Sequence, residues 1–592
     1  MNANYLIGID LGTSNTAVSY AKITENDEKP EFKIFEIPQI VRPGEILSRP
    51  LLPSFIYFPD ENEKNRGNFS LPWKEDETFI VGEYARKRSS EMPARVISSA
   101  KSWLCNNHVK RDDKILPWDS DQVSEKFSPV RAQAEILNHI KNAWNHKFSD
   151  DDDNNSFIEQ NITVTIPASF DAVARELTLK ACNLCGIKNL TLMEEPQAAF
   201  YSWLLSNEET WRKQIKKDES VLVCDIGGGT SDFTLIRVFE TDGNLELERT
   251  AVGNHLLVGG DNMDLSISYL INSKISATGK KLDKWQLRSL VNKARDAKEE
   301  LLSDKTKEKY EISVLSRGMK LISGTIKSEV LSSELDQIVK NGFFPQCSLE
   351  EKPVNNRKTG LMEAGLNYES DPAITRHLAE FVSNFASNFF PSYILFNGGV
   401  MKSKELRNHI TQTVSSWNES NEIKELENNN SDISVALGAC YYSFIKLSGG
   451  IRIKSGLNKT YYIEVSSSMP AIPGIPAPTK ALCVAPFGME EGSLIKIEGK
   501  KYMLTLGEDV SFNLFESSMG KDDKAGETIE DFSNKLEKLT EIETFLNGNK
   551  GEMVPVVLET HVTEIGTLEF YCVSVEDSRK WKLEFNLRQQ SN

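Results

Sequence analysis

The chain has 592 residues, enough for two or more domains, each with a core of its own. Its formal net charge of −17 argues against nucleic acid or an anionic membrane surface as the main partner. The sequence has no run of about 18 apolar residues and no basic, apolar leader, so we expect a cytoplasmic protein. Eight cysteines are too few for a disulfide framework.

The first motif of the chain is LIGIDLGTSNTAVSY at residues 6–20. An apolar strand ends at Asp10, a turn rich in glycine and polar side chains follows, and a second strand leaves. The turn residues are Gly12, Thr13, Ser14 and Asn15. Such a turn lets backbone N–H groups approach an anion, and the neighbouring carboxylate can bind the Mg²⁺ that accompanies phosphate.

A second copy of this plan is VLVCDIGGGTSDFTLIRV at residues 221–238. A strand reaches Asp225, and the turn then contains Gly227, Gly228, Gly229 and Thr230. Alone, this stretch also fits a tight hairpin whose glycines serve only the turn. The repeat favours two duplicated lobes that clamp a polyphosphate and its Mg²⁺, with Asp10 and Asp225 as the metal-binding carboxylates, acting through water.

These hairpins, DxGTxN and DxGGGTxD, resemble the two phosphate motifs of the actin, sugar-kinase and heat-shock ATPase superfamily. Within it, the chain is most similar to the seventy-kilodalton heat-shock protein (DnaK-like) family. Five further segments carry the resemblance in the right order: LPSFI at 52–56, VGE at 81–83, LTLMEEPQAA at 190–199, YILFNGG at 393–399 and DISVALGA at 432–439. The resemblance implies an α/β fold, a two-lobed actin-like ATPase domain of duplicated ribonuclease H-like lobes, over residues 1–449.

The resemblance also implies ATP or ADP with Mg²⁺ as the cofactors, and a set of site residues. Lys101 would reach the transferred phosphate and Glu195 would position the attacking water, with Asp225 and Thr230 completing the catalytic set. A lone lysine is usually a surface residue, but Lys101 stands in the family's register behind the VGE segment. The implied nucleotide-binding residues are Asp10, Gly12, Thr13, Ser14, Asn15, Gly227, Gly228, Gly229, Gly259, Gly260, Lys298, Gly398, Gly399 and Asp432.

The base-binding side departs from the family pattern. Arg295 stands where the family places a glutamate against the adenine and ribose, and Leu302 stands near the family's serine. After the YILFNGG segment, Val400 and Lys402 replace the family's serine and arginine. The resemblance therefore implies no adenine contact at Arg295 or Leu302, and the base is held either differently or loosely.

Two further features are decided from the residues. Cys182 and Cys185 have the spacing of a redox or metal pair, but no second pair lies near, so we expect buried, inert thiols. A helix is predicted over Lys281 to Ser303 from its apolar spacing, and another from Ser128 to Phe148.

The chain changes character at Gly449. Apolar residues alternate with polar ones, for example Val510, Phe512 and Leu514, and predict a β-rich domain over 450–592. It occupies the place of the family's peptide-binding domain, which implies an unfolded client or other protein partner, and cochaperones. The few residues after Leu587 predict a domain without a helical lid. The linker has only isolated apolar residues, and together with the missing lid this predicts weak control by nucleotide.

The leading hypothesis is thus a divergent heat-shock-type ATPase. A small-molecule kinase on the same scaffold stays open, although it would need a catalytic aspartate over a substrate pocket. A polymerising actin relative and an ATP-driven switch or scaffold protein also stay open. Phosphate transfer to sugars or acids would indicate the kinase, and sedimentation with ATP would indicate the polymer.

Overall fold

The computed structural model describes residues 3–583, except 25–28, 76–77, 107–108, 150–151, 209, 242–243, 305, 316–324, 355–365, 367, 386–389, 419–421, 429, 450, 455, 467–477, 491, 519, 521 and 564–566. The chain forms two compact units. Unit 1 contains residues 1–109, 113–168 and 180–452, and unit 2 contains residues 110–112, 169–179 and 453–592.

Unit 1 contains two sheets with the same strand order. In the first, the sequence of neighbours is Lys33–Ile34, Asn15–Lys22, Tyr5–Leu11, Asn161–Ile166 and Asn189–Glu194, and Leu51–Pro53 also pairs with Asn15–Lys22. In the second it is Asn244–Val252, Ser231–Thr241, Ser220–Ile226, Tyr393–Asn397 and Lys424–Leu426. In both, the first three strands are antiparallel and the last two run parallel to the central strand.

We call Tyr5–Leu11 with Asn15–Lys22 the first hairpin, and Ser220–Ile226 with Ser231–Thr241 the second hairpin. Every residue of the strand Ser220–Ile226 is buried, as expected for a strand covered on both faces. The mixed α/β class is confirmed, and the repeated strand order brings each phosphate motif to the end of a central strand.

Helices cover these sheets. The helices of unit 1 are Glu61–Arg66, Glu83–Ser89, Ala100–Trp103, Pro129–Phe148, Glu195–Ser206, Trp211–Gln214, Gly260–Ala277, Lys284–Ser303, Ser332–Ile338, Ile374–Phe385, Lys404–Ser415 and Ser434–Ser448, and a further helix, Ala172–Leu184, has residues in both units. The remaining strands of unit 1 are Ile37–Arg42, Glu45–Arg49, Ile56–Tyr57, Ile80–Val81, Val96–Ile97, Lys309–Leu315 and Thr325–Leu331.

Both predicted helices form. Ser128 accepts a hydrogen bond from the Arg131 amide and so caps the helix that starts at Pro129. The second helix begins at Lys284 instead of Lys281, because Asp283 and Gln286 form a capping box that fixes its first turn.

The helix Ser434–Ser448, which we call the closing helix, packs with unusually close backbone contacts. A Cβ added at Gly438 would lie 1.7 Å from the carbonyl oxygen of Ala198, on helix Glu195–Ser206. A Cβ added at Gly8, in the first hairpin, would lie 2.2 Å from the carbonyl oxygen of Ala436. Glycine is therefore required at Gly438 in the closing helix and at Gly8 in the strand that packs against it.

Unit 2 contains two five-stranded sheets. One has the order Thr528–Ile529, Thr479–Ala485, Thr460–Ser466, Asp509–Ser517 and Glu537–Phe545. In the other, Leu494–Lys496 and Tyr502–Leu506 both pair with Glu552–Val562, which is followed by Leu568–Ser574 and Lys580–Leu583. Leu514 is buried in the core of this unit, with Val510 and Phe512 packed against it. Residues 584–592, on which the prediction about a lid depends, lie outside the described residues.

We predict that Gly438→Ala destabilises the protein by about 3 kcal/mol, since the methyl group would collide with rigid backbone. Urea unfolding followed by intrinsic fluorescence measures the change. Gly342→Ala is the matched control, because no heavy atom lies within 4 Å of its Cβ position. Equal unfolding midpoints for the two variants would contradict the packing described.

Candidate functional site

The turns of the two hairpins face each other. A Cβ at Gly228 would lie 2.2 Å from Ser14 Oγ, and one at Gly229 would lie 3.1 Å from Thr13 Cγ2. Ser102 Oγ also lies 2.6 Å from the Cβ position of Gly229. Side chains of the first turn thus occupy the space that any side chain at Gly228 or Gly229 would need.

Other contacts hold each turn in shape. Gly12 lies against its own turn, with the Asn15 carbonyl oxygen 2.3 Å from its Cβ position. In the second turn, the Gly227 amide donates to the Thr230 carbonyl at 2.9 Å. The predicted turn residues are therefore brought together at one place between the sheets.

Beside these turns the buried Lys101 forms an ion pair with Glu195, whose side chain is 13% exposed. Lys101 lies on the short helix Ala100–Trp103, and Glu195 is the first residue of helix Glu195–Ser206. Burial disfavours the ammonium, but Glu195, Asp10 and Asp225 outweigh it and raise the pKa of Lys101 above its usual value. The lysine is therefore a fixed positive charge among three carboxylates.

The two aspartates of the hairpins, Asp10 and Asp225, have raised pKa values. Burial first, and then the charge of Glu195, raise the pKa of Asp10 to about 7. The same two causes raise the pKa of Asp225 well above its usual range. With all three carboxyl groups ionised, the site would hold more negative charge than Lys101 compensates, and a bound cation would favour the ionised form of the aspartates.

Glu194, the neighbour of Glu195, has a different environment. Its carboxylate pairs with Arg249 and accepts a hydrogen bond from Gln197 Nε2 at 2.9 Å. Of the two glutamates in the EEP segment, Glu195 is therefore the one that contacts Lys101.

Asn397 is a site residue that the sequence reasoning missed. Its Nδ2 donates to Asp225 Oδ2 at 2.8 Å, and its Oδ1 accepts from Ser434 Oγ at 3.0 Å. Asn397 stands directly before Gly398 and is the parallel partner of Asp225 in the sheet. A polar residue at the end of a strand next to the acidic one was the signal that could have revealed it.

The glycines of the YILFNGG segment have different surroundings. Gly398 has a φ of +87°, and a Cβ there would lie 2.3 Å from the Ile226 carbonyl oxygen, so this position requires glycine. Gly399 has no heavy atom within 4 Å of its Cβ position. Asp432 pairs with Lys402, at 2.7 Å between Oδ1 and Nζ.

The start of helix Gly260–Ala277 packs on the second turn. The Gly260 amide donates to the Gly227 carbonyl at 3.0 Å, and the Asp261 amide donates to the Gly228 carbonyl at 2.7 Å. Gly259 is equally tight, since its Cβ position is 2.8 Å from both of those carbonyl oxygens. These first amides therefore support the turn.

Arg295 takes part in a buried charge network. Its Nη2 lies 2.7 Å from Asp261 Oδ1 and its Nε lies 2.8 Å from Asp264 Oδ2. Lys298 Nζ lies 2.6 Å from Asp264 Oδ1 and donates to the Gly260 carbonyl at 2.8 Å. Ser99 Oγ donates to Asp261 Oδ2 at 3.0 Å and joins the network to the segment that carries Lys101.

Cys182 and Cys185 are free and buried, as expected, and burial raises the pKa of Cys185 to about 12.

Within the described residues, no three His, Cys, Asp or Glu side chains are grouped so that they could hold a metal ion. A cation at Asp10 and Asp225 would therefore need ligands from water or phosphate.

Comparison with known proteins places this site in a family. A family model described as Hsp70 protein matches residues 6–346. The Chaperone protein HscA homolog of Pseudoalteromonas atlantica (strain T6c / ATCC BAA-1087) is 26% identical over 347 residues. That match covers 57% of this chain and 47% of the relative, so the chain spans about half the length of this curated relative.

In the part of the chain that the structure describes, no helix is long and apolar enough to cross a membrane. The family model covers more than half of the chain, and the turns of both hairpins lie within the matched range. The chain belongs to the Hsp70 protein family.

Proposed function

We propose that this chain is a Mg²⁺-dependent ATP-binding and ATP-hydrolysing protein of chaperone type. Its nucleotide site would lie in residues 1–449 and its partner site in residues 450–592. The observation that carries the proposal is the ion pair of buried Lys101 with Glu195, together with Asp10 and Asp225, whose charges raise the pKa of the lysine. Phosphoryl transfer to water needs mainly positioning and electrostatic stabilisation, and these groups can supply both.

Each side chain has a distinct role in this proposal. The turn residues Thr13, Ser14 and Thr230 would cradle the phosphates, and the Lys101 ammonium would stabilise charge on the transferred phosphate. Glu195, once released from Lys101, would orient the attacking water or accept its proton.

Mg²⁺ bound with the nucleotide would offset the negative charge of the phosphates. Asp10 and Asp225 would hold it through water, as hard oxygen ligands. The excess of buried negative charge at these two carboxylates supports this assignment.

We expect Lys101→Ala to slow single-turnover ATP hydrolysis by about a hundredfold while nucleotide still binds. Removing one charge-stabilising donor costs roughly 3 kcal/mol of transition-state stabilisation. Rapid quench with radiolabelled ATP measures the rate, and filter binding measures the affinity. Lys64→Ala, which removes a surface lysine paired with Glu61, is the matched control. A Lys101→Ala rate equal to that of this control would remove Lys101 from the mechanism.

We also propose that the base is recognised weakly. Arg295 lies at a position where the family pattern has an adenine-facing glutamate, and its guanidinium is already bound by Asp261 and Asp264. Lys298 is likewise bound by Asp264. Side chains held in a network of their own have few hydrogen-bonding groups left for a base, so the phosphates and Mg²⁺ would supply most of the affinity.

Accordingly, we expect the affinity for GTP to lie within about tenfold of the affinity for ATP, because strong rejection of the wrong base requires a site built to hydrogen-bond the right one. Isothermal titration of both nucleotides, with and without Mg²⁺, tests this. Arg295→Ala should leave the ATP-to-GTP ratio unchanged, and Arg288→Ala on the same helix serves as control. Nanomolar ATP binding with no detectable GTP binding would contradict the proposal.

For unit 2, we propose binding of an unfolded client or another protein partner, with cochaperones. Met503 and Met553 are 56% and 59% exposed on adjacent strands. Met503 is paired with Pro555 and Thr505 with Met553, so the two methionines are diagonal neighbours on one face of the sheet. Exposed, flexible methionines are typical of surfaces that accept varied apolar partners.

Nucleotide control of this partner site is proposed to be weak. From Ile445 onward, the sequence offers only single apolar residues that could dock on unit 1. Leu447, near the end of the closing helix, is 57% exposed. Burying one such side chain contributes roughly 1.5–3 kcal/mol, which is less than a large shift of a two-state equilibrium requires.

A double variant, Met503→Glu with Met553→Glu, should weaken capture of a labelled unfolded peptide at least about tenfold, because two apolar contacts are lost. Fluorescence anisotropy measures the affinity. The control adds the same charges at exposed serines, Ser511→Glu with Ser533→Glu. Peptide release from the wild-type protein should differ by less than about a hundredfold between ATP and ADP, and a larger difference would contradict weak control.

A further inference from the structure

Asn397 joins the second hairpin to the closing helix through buried hydrogen bonds. It is the last residue of strand Tyr393–Asn397 and the parallel partner of Asp225. Its Nδ2 donates to Asp225 Oδ2 at 2.8 Å, and its Oδ1 accepts from Ser434 Oγ at 3.0 Å. Asn397, Asp225 and Ser434 are 3%, 7% and 1% exposed, so solvent competes little for these bonds.

The two neighbours of the Asn397 amide fix its orientation. An ionised carboxylate only accepts hydrogen bonds, so Asp225 requires the NH₂ side of the amide. The Ser434 hydroxyl has one hydrogen, and its other acceptor, the Ser431 carbonyl, lies farther away, at 3.5 Å. An amide turned by 180° would bring its oxygen against the Asp225 carboxylate, where two acceptors repel each other. The amide therefore holds Asp225 Oδ2 in one place.

The other oxygen of Asp225, Oδ1, has different surroundings. In the described part of the chain, the side-chain hydrogen bond that this carboxylate accepts is the one from Asn397, at Oδ2. A Cβ added at Gly398 would lie 2.8 Å from Oδ1, so a side chain at this position would collide with that oxygen. Asn397 and Gly398, which are neighbours in sequence, thus hold one oxygen and keep side chains away from the other.

The first sheet contains a similar arrangement. Strand Asn161–Ile166 runs parallel to the strand that contains Asp10, as strand Tyr393–Asn397 runs parallel to the strand that contains Asp225. From this strand the completely buried Thr165 donates through Oγ1 to Asp10 Oδ1 at 3.4 Å. Each hairpin aspartate therefore accepts a side-chain hydrogen bond from the neighbouring parallel strand. The donor is a hydroxyl in the first sheet and an amide in the second.

We propose that Asn397 is a positioning residue for the metal site: its amide, oriented by Ser434, holds Asp225 so that Oδ1 is the oxygen presented to Mg²⁺ and its waters. This assignment rests on the proposed function, in which the ion binds together with the nucleotide. A group that hydrogen-bonds a metal-binding carboxylate fixes the rotation of that carboxylate, and its loss typically lowers metal affinity by about 10- to 100-fold.

A buried asparagine can also serve the packing of the protein alone. Loss of such a residue would lower the stability of the fold and the binding of nucleotide as a whole. Loss of a positioning residue lowers the affinity for the metal and leaves metal-free nucleotide binding almost unchanged. These two affinities therefore have to be measured separately.

The test compares Asn397→Val with Asn397→Thr. Valine and threonine have nearly the same shape and differ in one hydroxyl group, and Thr165 shows that a threonine on the parallel strand can donate to a hairpin aspartate. Electron paramagnetic resonance measures the binding of Mn²⁺, which prefers oxygen ligands as Mg²⁺ does, to the full chain with ADP. Isothermal titration measures the affinity for ADP without metal.

Asn397→Val should bind Mn²⁺ at least about tenfold more weakly than the wild-type protein, whereas Asn397→Thr should stay within about threefold of it. The affinity for ADP without metal should change by less than about threefold in both variants. Thr234→Val is the matched control, since Thr234 is completely buried in the second hairpin and its Oγ1 has no hydrogen-bond partner among the described residues. Its affinity for Mn²⁺ should equal that of the wild-type protein.

Equal affinities for Mn²⁺ in Asn397→Val and Asn397→Thr would overturn the positioning role. It would also be overturned if Asn397→Val lost metal-free ADP binding to the same extent as Mn²⁺ binding. Urea unfolding shows whether each variant is folded, and if Asn397→Val is not, Asn397→Ala and Asn397→Ser make the same comparison.

The wild-type protein distinguishes this assignment from the proposed function. Binding of ADP without any Mn²⁺ would overturn the metal site and the role of Asn397, but would leave nucleotide binding intact. If the wild-type protein binds neither ADP nor Mn²⁺, the proposed function fails and the positioning role fails with it. Wild-type binding of both, with no loss of Mn²⁺ affinity in Asn397→Val, would overturn the positioning role alone.

Discussion

Three carboxylates gathered around one buried lysine are the constraint on which the candidate site depends. Asp10, Asp225 and Glu195 each raise the pKa of Lys101, and Glu195 in turn raises the pKa of both aspartates. Buried charges of one sign are tolerated only where an opposite charge is held close by. The four side chains come from four separate elements, so the fold must fix all of these elements at once.

The closing helix links the two hairpins that supply the aspartates. Its Ala436 carbonyl accepts a hydrogen bond from Ser19 Oγ of the first hairpin at 2.6 Å. Its Ser434 Oγ donates to Asn397, which in turn donates to Asp225. The close packing of Gly438 against the Ala198 backbone also holds helix Glu195–Ser206, which begins with Glu195, against the closing helix. One helix near the end of unit 1 thus positions three of the four charged elements, which explains why small residues occur along it.

The sequence predicts those parts of this site that are local in the chain. Each phosphate hairpin is a contiguous strand–turn–strand pattern, and the Lys101 and Glu195 segments carry their own family register, so the sequence alone predicts all four segments. The start of the second long helix was misplaced by three residues, because the apolar spacing does not reveal that Asp283 caps it. The role of Asn397 is not predicted, since its partners Asp225 and Ser434 are distant in sequence and only the fold brings the three together.

Arg295 shows how a departure from a family pattern changes the chemistry of a cleft wall. An arginine in place of a glutamate would place an unpaired charge near the base, unless acidic groups surround it. Asp261 and Asp264 provide these groups, and Ser99 connects Asp261 to the segment of Lys101. Loss of one partner from a buried ion pair costs about 3–5 kcal/mol, so these side chains are strongly held in their present pairing. In the proposed nucleotide site, a wall whose charges neutralise one another would contribute rigidity and little recognition of the base, and selectivity would then depend on the phosphate turns.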